Sequence, residues 1–174
     1  MLKMMKTAHK TSRHQQHGAA AVEFALIAML FFTLLLGILE FGRLFYLYNT
    51  VQEVTRRAAR EAVVRWVDEM DDAAEVESLV LFGGTSLPAG VEITAANINI
   101  EYLTVSGGTP TPFPGSAADN ISACLSGPDG CIAFVRASIT GATYVPMIGL
   151  FPFLAVPIPA STVTMPAESM GYRD

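Results

Sequence analysis

From Ala19 to Leu39 the chain is apolar and, apart from Glu23, uncharged. These 21 residues are enough to cross the hydrocarbon core of a bilayer, roughly 30 Å thick, as one helix. The helical pattern runs on beyond Leu39, with Gly42 its one weak point. Phe41, Leu44 or Phe45, Tyr48, Val51, Thr55, Ala58, Ala62 and Trp66 recur at three- or four-residue spacing and form one apolar or small stripe. Against it lie two acid-to-base pairs at i,i+4, Glu53 with Arg57 and Glu61 with Arg65. The pattern predicts a single helix from about Ala19 to Val67, on the order of 70 Å long, lipid-embedded first and amphipathic afterwards. Its projecting half must bury the stripe on its own domain, on neighbouring helices, or on both.

Beyond Trp66 the pattern shortens. Asp68, Glu69, Asp71 and Asp72 oppose the dipole at a helix carboxyl end and fit better as the start of a second helix, Asp72 to Leu81, stopped by Gly83-Gly84. The period then changes to two. Val91, Ile93 and Ala95, then Ile98, Ile100 and Tyr102, alternate with polar residues and predict strands. Further strands are expected over about Cys131–Thr140 and Ser161–Ser169, the last an edge strand because of Pro166. Ser106 to Gly115 is a turn-rich loop. Tyr144 to Pro159 holds four prolines among large apolar residues, so it is neither a regular strand nor a regular helix. It drapes over the core or presents a contact surface, and packing is the favoured reading. The fold class expected is α+β: a long amino-terminal helix packed on a small antiparallel sheet.

Charge gives the span an orientation. Residues 1–18 carry Lys3, Lys6, Lys10 and Arg13 and no acid, which keeps the amino end cytoplasmic. The domains expected are a basic leader (1–18), a transmembrane helix (19–39), an amphipathic extension (40–69) and an exported α+β domain (70–174). Loss of the leader's four positive charges moves the formal net charge from −5 to −9. Beyond Trp66 the basic residues are Arg136 and Arg173 alone, so no nucleic-acid partner is expected. A secretory signal would end its apolar run on a small-x-small site. Here the small residues, Gly18 to Ala21, stand before the run, where a cytoplasmic-side peptidase would leave the helix attached. An uncleaved signal anchor is the alternative.

Glu23 is the sharpest candidate site. A carboxylate within a span costs about 2.5–3.5 kcal/mol unless it is partnered. A cut after Gly18 would give Ala19 a free ammonium and make Glu23 the fifth residue, able to pair with the amino terminus of a neighbouring subunit. Glu40 and Arg43 stand at the other end of the run and read as an interfacial pair flanking the membrane, or else as a second register-setting charge. Cys124 and Cys131 flank a Pro-Asp-Gly turn and are expected to form a disulfide in an oxidising compartment. No enzyme, metal or cofactor is expected. His9, His14 and His17 all precede the cut, and no phosphate loop or His-Glu-x-x-His arrangement is present. The Asp68–Asp72 cluster lacks calcium-loop spacing and reads as a solvated turn.

Three runs together carry a resemblance: Gly18-Ala-Ala-Ala-Val-Glu23-Phe24, then Gly37-Ile-Leu-Glu40-Phe41-Gly42-Arg43, then Arg56-Arg57-Ala-Ala-Arg60-Glu61-Ala62. The chain resembles the TadE-like family, pseudopilins or minor pilins of the tight-adherence (Flp) branch of type IV pili. The resemblance covers Gly18 to about Arg65 and loosens afterwards. It implies a type IV pilin-like fold, cleavage by a prepilin peptidase between Gly18 and Ala19, and Glu23 and Phe24 at the fifth and sixth mature positions. The implied partners are the inner membrane, the peptidase, other pilins or pseudopilins and the pilus assembly platform. The implied place is the bacterial inner membrane, single-pass with the carboxyl domain periplasmic, or the pilus at the cell surface. The extra 100 or so residues beyond the helix suit a minor component better than the main filament subunit. A second expectation, of another class, is an uncleaved, signal-anchored periplasmic binding or scaffold module.

Overall fold

The computed structural model describes residues 16–127 and 129–172. The basic leader therefore lies outside the described residues as far as residue 15, as do Pro128 of the expected turn and Arg173. The chain divides into two compact units between Leu39 and Glu40. Helix α1, Gln16–Val64, begins in the first unit and ends in the second.

In the first unit, residues 18–39 are exposed or half-exposed along the whole helix, with none of the large apolar side chains buried. Thr33, the one uncharged polar residue of the run, bonds its hydroxyl to the Met29 carbonyl at 2.8 Å, which leaves no free side-chain donor on an apolar surface. The segment is long and apolar enough to cross a membrane.

In the second unit α1 buries Leu47, Val51, Val54, Thr55, Ala58, Ala59, Ala62 and Val63. The small residues at 55, 58, 59 and 62 let other backbone approach this end of the helix closely. The buried face departs from the predicted stripe at its start: Phe41 and Phe45 are exposed, while Leu47 and Glu40 are buried. A polar residue on the buried face misled the apolar count. Glu61 pairs with Arg65 at 3.1 Å as expected, but Glu53 meets Arg56 rather than Arg57. Arg57 instead donates to the Leu79 carbonyl and stacks over the Phe82 ring, 4.6 Å from its centroid.

The helix ends at Val64 because Trp66 turns extended, and the acidic residues open a short helix α2, Val67–Asp71. Asp72 then caps α3, Ala73–Leu79, accepting from Ala74 N at 2.9 Å. Two short strands follow, β1 (Ser86–Leu87) and β2 (Gly90–Thr94), paired antiparallel. A three-residue 3₁₀ turn leads to β3, Ile98–Leu103. Helix α4, Ala117–Ser126, stands where no helix was expected; Ser116 caps it by accepting from Asp119 N at 3.1 Å. The remaining strands are β4 (Phe134–Ile139), β5 (Thr143–Tyr144), β6 (Val156–Pro157) and β7 (Ser161–Pro166).

The main sheet is antiparallel with order β3-β4-β7. Its register aligns Ile100 with Ala137 and Val163, and Tyr102 with Val135 and Met165, so one face is apolar across all three strands. On the other face Glu101 lies opposite Arg136, their charged groups 3.2 Å apart. Strand β7 is an edge, the only place Pro166 can sit without costing a ladder bond. The proline-rich segment splits its side chains. Tyr144, Phe151, Leu154 and Ile158 are buried, as the packing reading expected; Val145, Met147, Leu150 and Phe153 are exposed. The whole is α+β: a long amino-terminal helix, apolar and exposed at first, whose part in the second unit buries one face within a domain of small antiparallel sheets, an arrangement consistent with a pilin-like fold.

Candidate functional site

Gly18, Ala19, Glu23 and Phe24 lie in helical conformation in the first turns of α1, all exposed. Among the described residues Glu23 has no cationic partner within ion-pair distance. A Cβ on Gly18 would meet nothing within 4 Å, so no packing among the described residues requires glycine there.

Glu40 and Arg43 form the core of a polar cluster in the second unit. Glu40 is only 3% exposed. Its Oε1 accepts from the Tyr144 hydroxyl at 2.7 Å and from the Met147 backbone N–H at 2.8 Å. Arg43 uses all three guanidinium nitrogens: Nε donates to the Ala89 carbonyl (3.0 Å), Nη1 to the Val145 carbonyl (2.9 Å) and Nη2 to Glu92 Oε1 (2.5 Å). Its Nη1 also stands 3.7 Å from Glu40 Oε1, and its charge lies over the Tyr144 ring, 4.9 Å from the centroid. Glu92 Oε1 accepts in addition from Val145 N at 3.2 Å, while its Oε2 is buried without a partner among the described residues.

The electrostatics follow from this geometry. Burial alone would lower the Arg43 pKa, but the hydrogen bond and charge of Glu92 outweigh it and raise the value further. Burial, the hydrogen bond to Glu40 and the Glu40 charge together push Tyr144 up to about 12, against the opposing charge of Arg43. An arginine fork serving three acceptors in two separate segments is a fixed clamp, since its planar donors match those acceptors in one orientation only. Tyr144, Glu92 and the Met147 amide were not foreseen. Glu92 occupies a polar position in an alternating strand, the pattern of a solvent-facing residue, and Tyr144 opens the proline-rich segment.

Cys124 and Cys131 are joined as a disulfide, with Cα atoms 5.0 Å apart. The bridge ties the end of α4 to the approach of β4. Nearby, Asn120 is buried and clasps Ile132 from both sides of its amide, accepting from its N–H at 2.7 Å and donating to its carbonyl at 3.3 Å. An open groove of about 530 Å³ beside α4 is lined by Phe113, Pro114, Ala123 and two carboxylates, Asp119 and Asp129. Asp119 is tied to Ser116, and no base or nucleophile pair converges there among the described residues. Nor do the described residues hold a group of three or more His, Cys, Asp or Glu able to bind a metal ion.

Residues 18–60 match the family model described as TadE-like protein. Over these residues the chain is similar to the TadE-like family. The match begins on Gly18 and takes in Glu23, Glu40 and Arg43, so it spans the apolar run and most of the helix in the second unit. Comparison with curated proteins and with solved structures gives no match. The TadE-like segment supports a part in the tight-adherence pilus system, and with the apolar helix it supports association with a membrane.

Proposed function

We propose that this chain is a minor pilin or pseudopilin of a tight-adherence pilus, cut by a prepilin peptidase after Gly18 and assembled through α1. The TadE-like match over residues 18–60 carries this reading, because it starts on the glycine at which the cut is expected and includes Glu23. The exposed apolar surface of residues 18–39 supports it. Such a surface can pass from lipid into a bundle of like helices and stay dry throughout, so extrusion needs no large desolvation change. Glu23 supplies register. An unpartnered carboxylate is penalised at every axial offset except the one that brings it to the new ammonium of Ala19 on a neighbouring subunit. The basic leader holds the amino end in the cytoplasm and the second unit is periplasmic. On this reading the chain is a structural subunit and not an enzyme.

Intact mass of the protein from a pilus-forming strain tests the cut. The expected species lacks residues 1–18; a full-length chain would instead be an anchored envelope module. Glu23→Ala should insert into the membrane normally and lose assembly, read by surface pilus display, and unchanged display would reject the register role.

A further inference from the structure

The loop between β5 and the 3₁₀ turn at Pro152–Leu154 exposes an unusual amount of apolar surface. Met147 is 78% exposed and Phe153 71%, with Val145 and Leu150 also open to solvent. These side chains are held out by an ordered frame. Phe151 and Leu154 are buried beneath them, and the Phe151 ring meets Phe153 edge-to-face at 6.1 Å. The loop is fastened to the helix position immediately after the apolar run, since Met147 N donates to Glu40 Oε1 and Arg43 holds the Val145 carbonyl. Glu40 follows Leu39 in the chain, so the loop is bonded to the first residue after the run.

We propose that this loop rests in the lipid–water interface of the membrane that the chain's own helix crosses, as a second apolar contact beside the span. The proposal rests on residues 19–39 being membrane-spanning. Three observations favour lipid as the occupant. The loop is bonded to Glu40, the first residue after the apolar run. From Ala137 to Ala167 there is no charged residue and no histidine, so no ionised group has to be desolvated. The backbone is partly prepared for a poorly hydrated place: Pro146 and Pro152 have no N–H, and the amides of Met147, Phe151, Leu154 and Ala155 have acceptors within the unit, while those of Ile148, Gly149, Leu150 and Phe153 are left to the polar side of the interface. Exposed apolar patches that are rigidly displayed mark partner or membrane contacts, and the bond of this one to the first residue after the run selects the membrane.

Both cysteines of the chain are bridged, so a single introduced cysteine can be labelled selectively. The full chain, with Met147→Cys, Phe153→Cys, Leu125→Cys or Leu30→Cys, is labelled with a polarity-sensitive fluorophore. It is then reconstituted in phosphatidylcholine vesicles bearing spin labels near the headgroup or deep in the acyl chain. Leu125 is 86% exposed on α4, at the end of the unit where Asn120 meets Met170 and Met170 meets Val63, about 35 Å along the helix from Glu40. Labels at 147 and 153 should be blue-shifted and quenched most by the shallow spin label, that at 30 by the deep one, and that at 125 by neither. Quenching at 30 with none at 147 and 153 overturns the proposal and leaves the span intact. No quenching at 30 removes the span, and the proposal with it. A blue shift at 147 and 153 that ignores both spin labels and disappears on dilution into excess lipid means a second copy covers the loop, which also overturns it.

Discussion

The hydroxyl of Tyr144 donates to the carboxylate of Glu40 at 2.7 Å, joining residues 104 positions apart in a buried contact. It fixes the point where α1 enters the α+β unit. Tyr144→Phe keeps the ring under Arg43 and removes only the donor. It should lower stability by about 1.5–3 kcal/mol, the range for a hydrogen bond to a charged group. Thermal melts of the detergent-solubilised chain measure it, and an unchanged melting temperature would show that the contact adds nothing.

Alkaline pH attacks the same contact. Tyr144 is raised to about 12 by burial first and Glu40 second, against an unfolded value of about 10. A raised pKa means the folded state holds its proton more tightly than the unfolded one. The stabilisation is thus complete below about pH 10 and fades as the pH climbs to about 12. Stability of the parent chain should fall over that window, and Tyr144→Phe should remove the part of the slope due to this group.

Tyr102 gives the opposite result for the same substitution. Its hydroxyl is buried with no partner among the described residues, and burial raises its pKa well above the ordinary tyrosine value. Tyr102→Phe should be neutral or stabilising by up to about 1 kcal/mol, because it deletes a donor that is dehydrated without return. A clear loss of stability in the same melts would reveal a bridging water at that hydroxyl.

Gly90 is a packing requirement. A Cβ there would run into Leu47 Cδ2, on the buried face of α1. Gly90→Ala should cost about 1–3 kcal/mol through overpacking. Adding Leu47→Ala should recover part of that loss, so the double variant will be more stable than the sum of the two singles predicts.

The Cys124–Cys131 bridge closes a short loop, with a sequence separation of 7. Cys124→Ser with Cys131→Ser should lower stability by about 2–3 kcal/mol in the chain-entropy account. Reduction of the parent chain under native conditions should produce the same shift, while leaving the association of residues 19–39 with membranes unchanged.

Much of this protein was legible from periodicity. The apolar run, the three strands of the main sheet, the edge position forced by Pro166 and the bridged cysteines all depend on contacts between near neighbours or on one repeating face. A local pattern records such contacts directly. Helix α4 was missed although Ser116 and Asp119 stood at capping spacing, because its apolar positions are sparse and only Asn120 is buried. The pairing of Glu53 was misassigned because Arg57 found a better acceptor in Leu79, 22 positions away.

From the residues alone came the span, its lone carboxylate, the TadE-like opening and the α+β class. Each is a property of composition and spacing along one segment, where the physics is local. Tertiary structure alone decided that Glu40 is buried and bonded to Tyr144, that Arg43 ties its own helix to two other segments, and which half of the proline-rich loop faces outward. Those outcomes are set by groups distant in sequence. A charged residue reads as solvent-facing until the fold brings it the donors that make its burial tolerable.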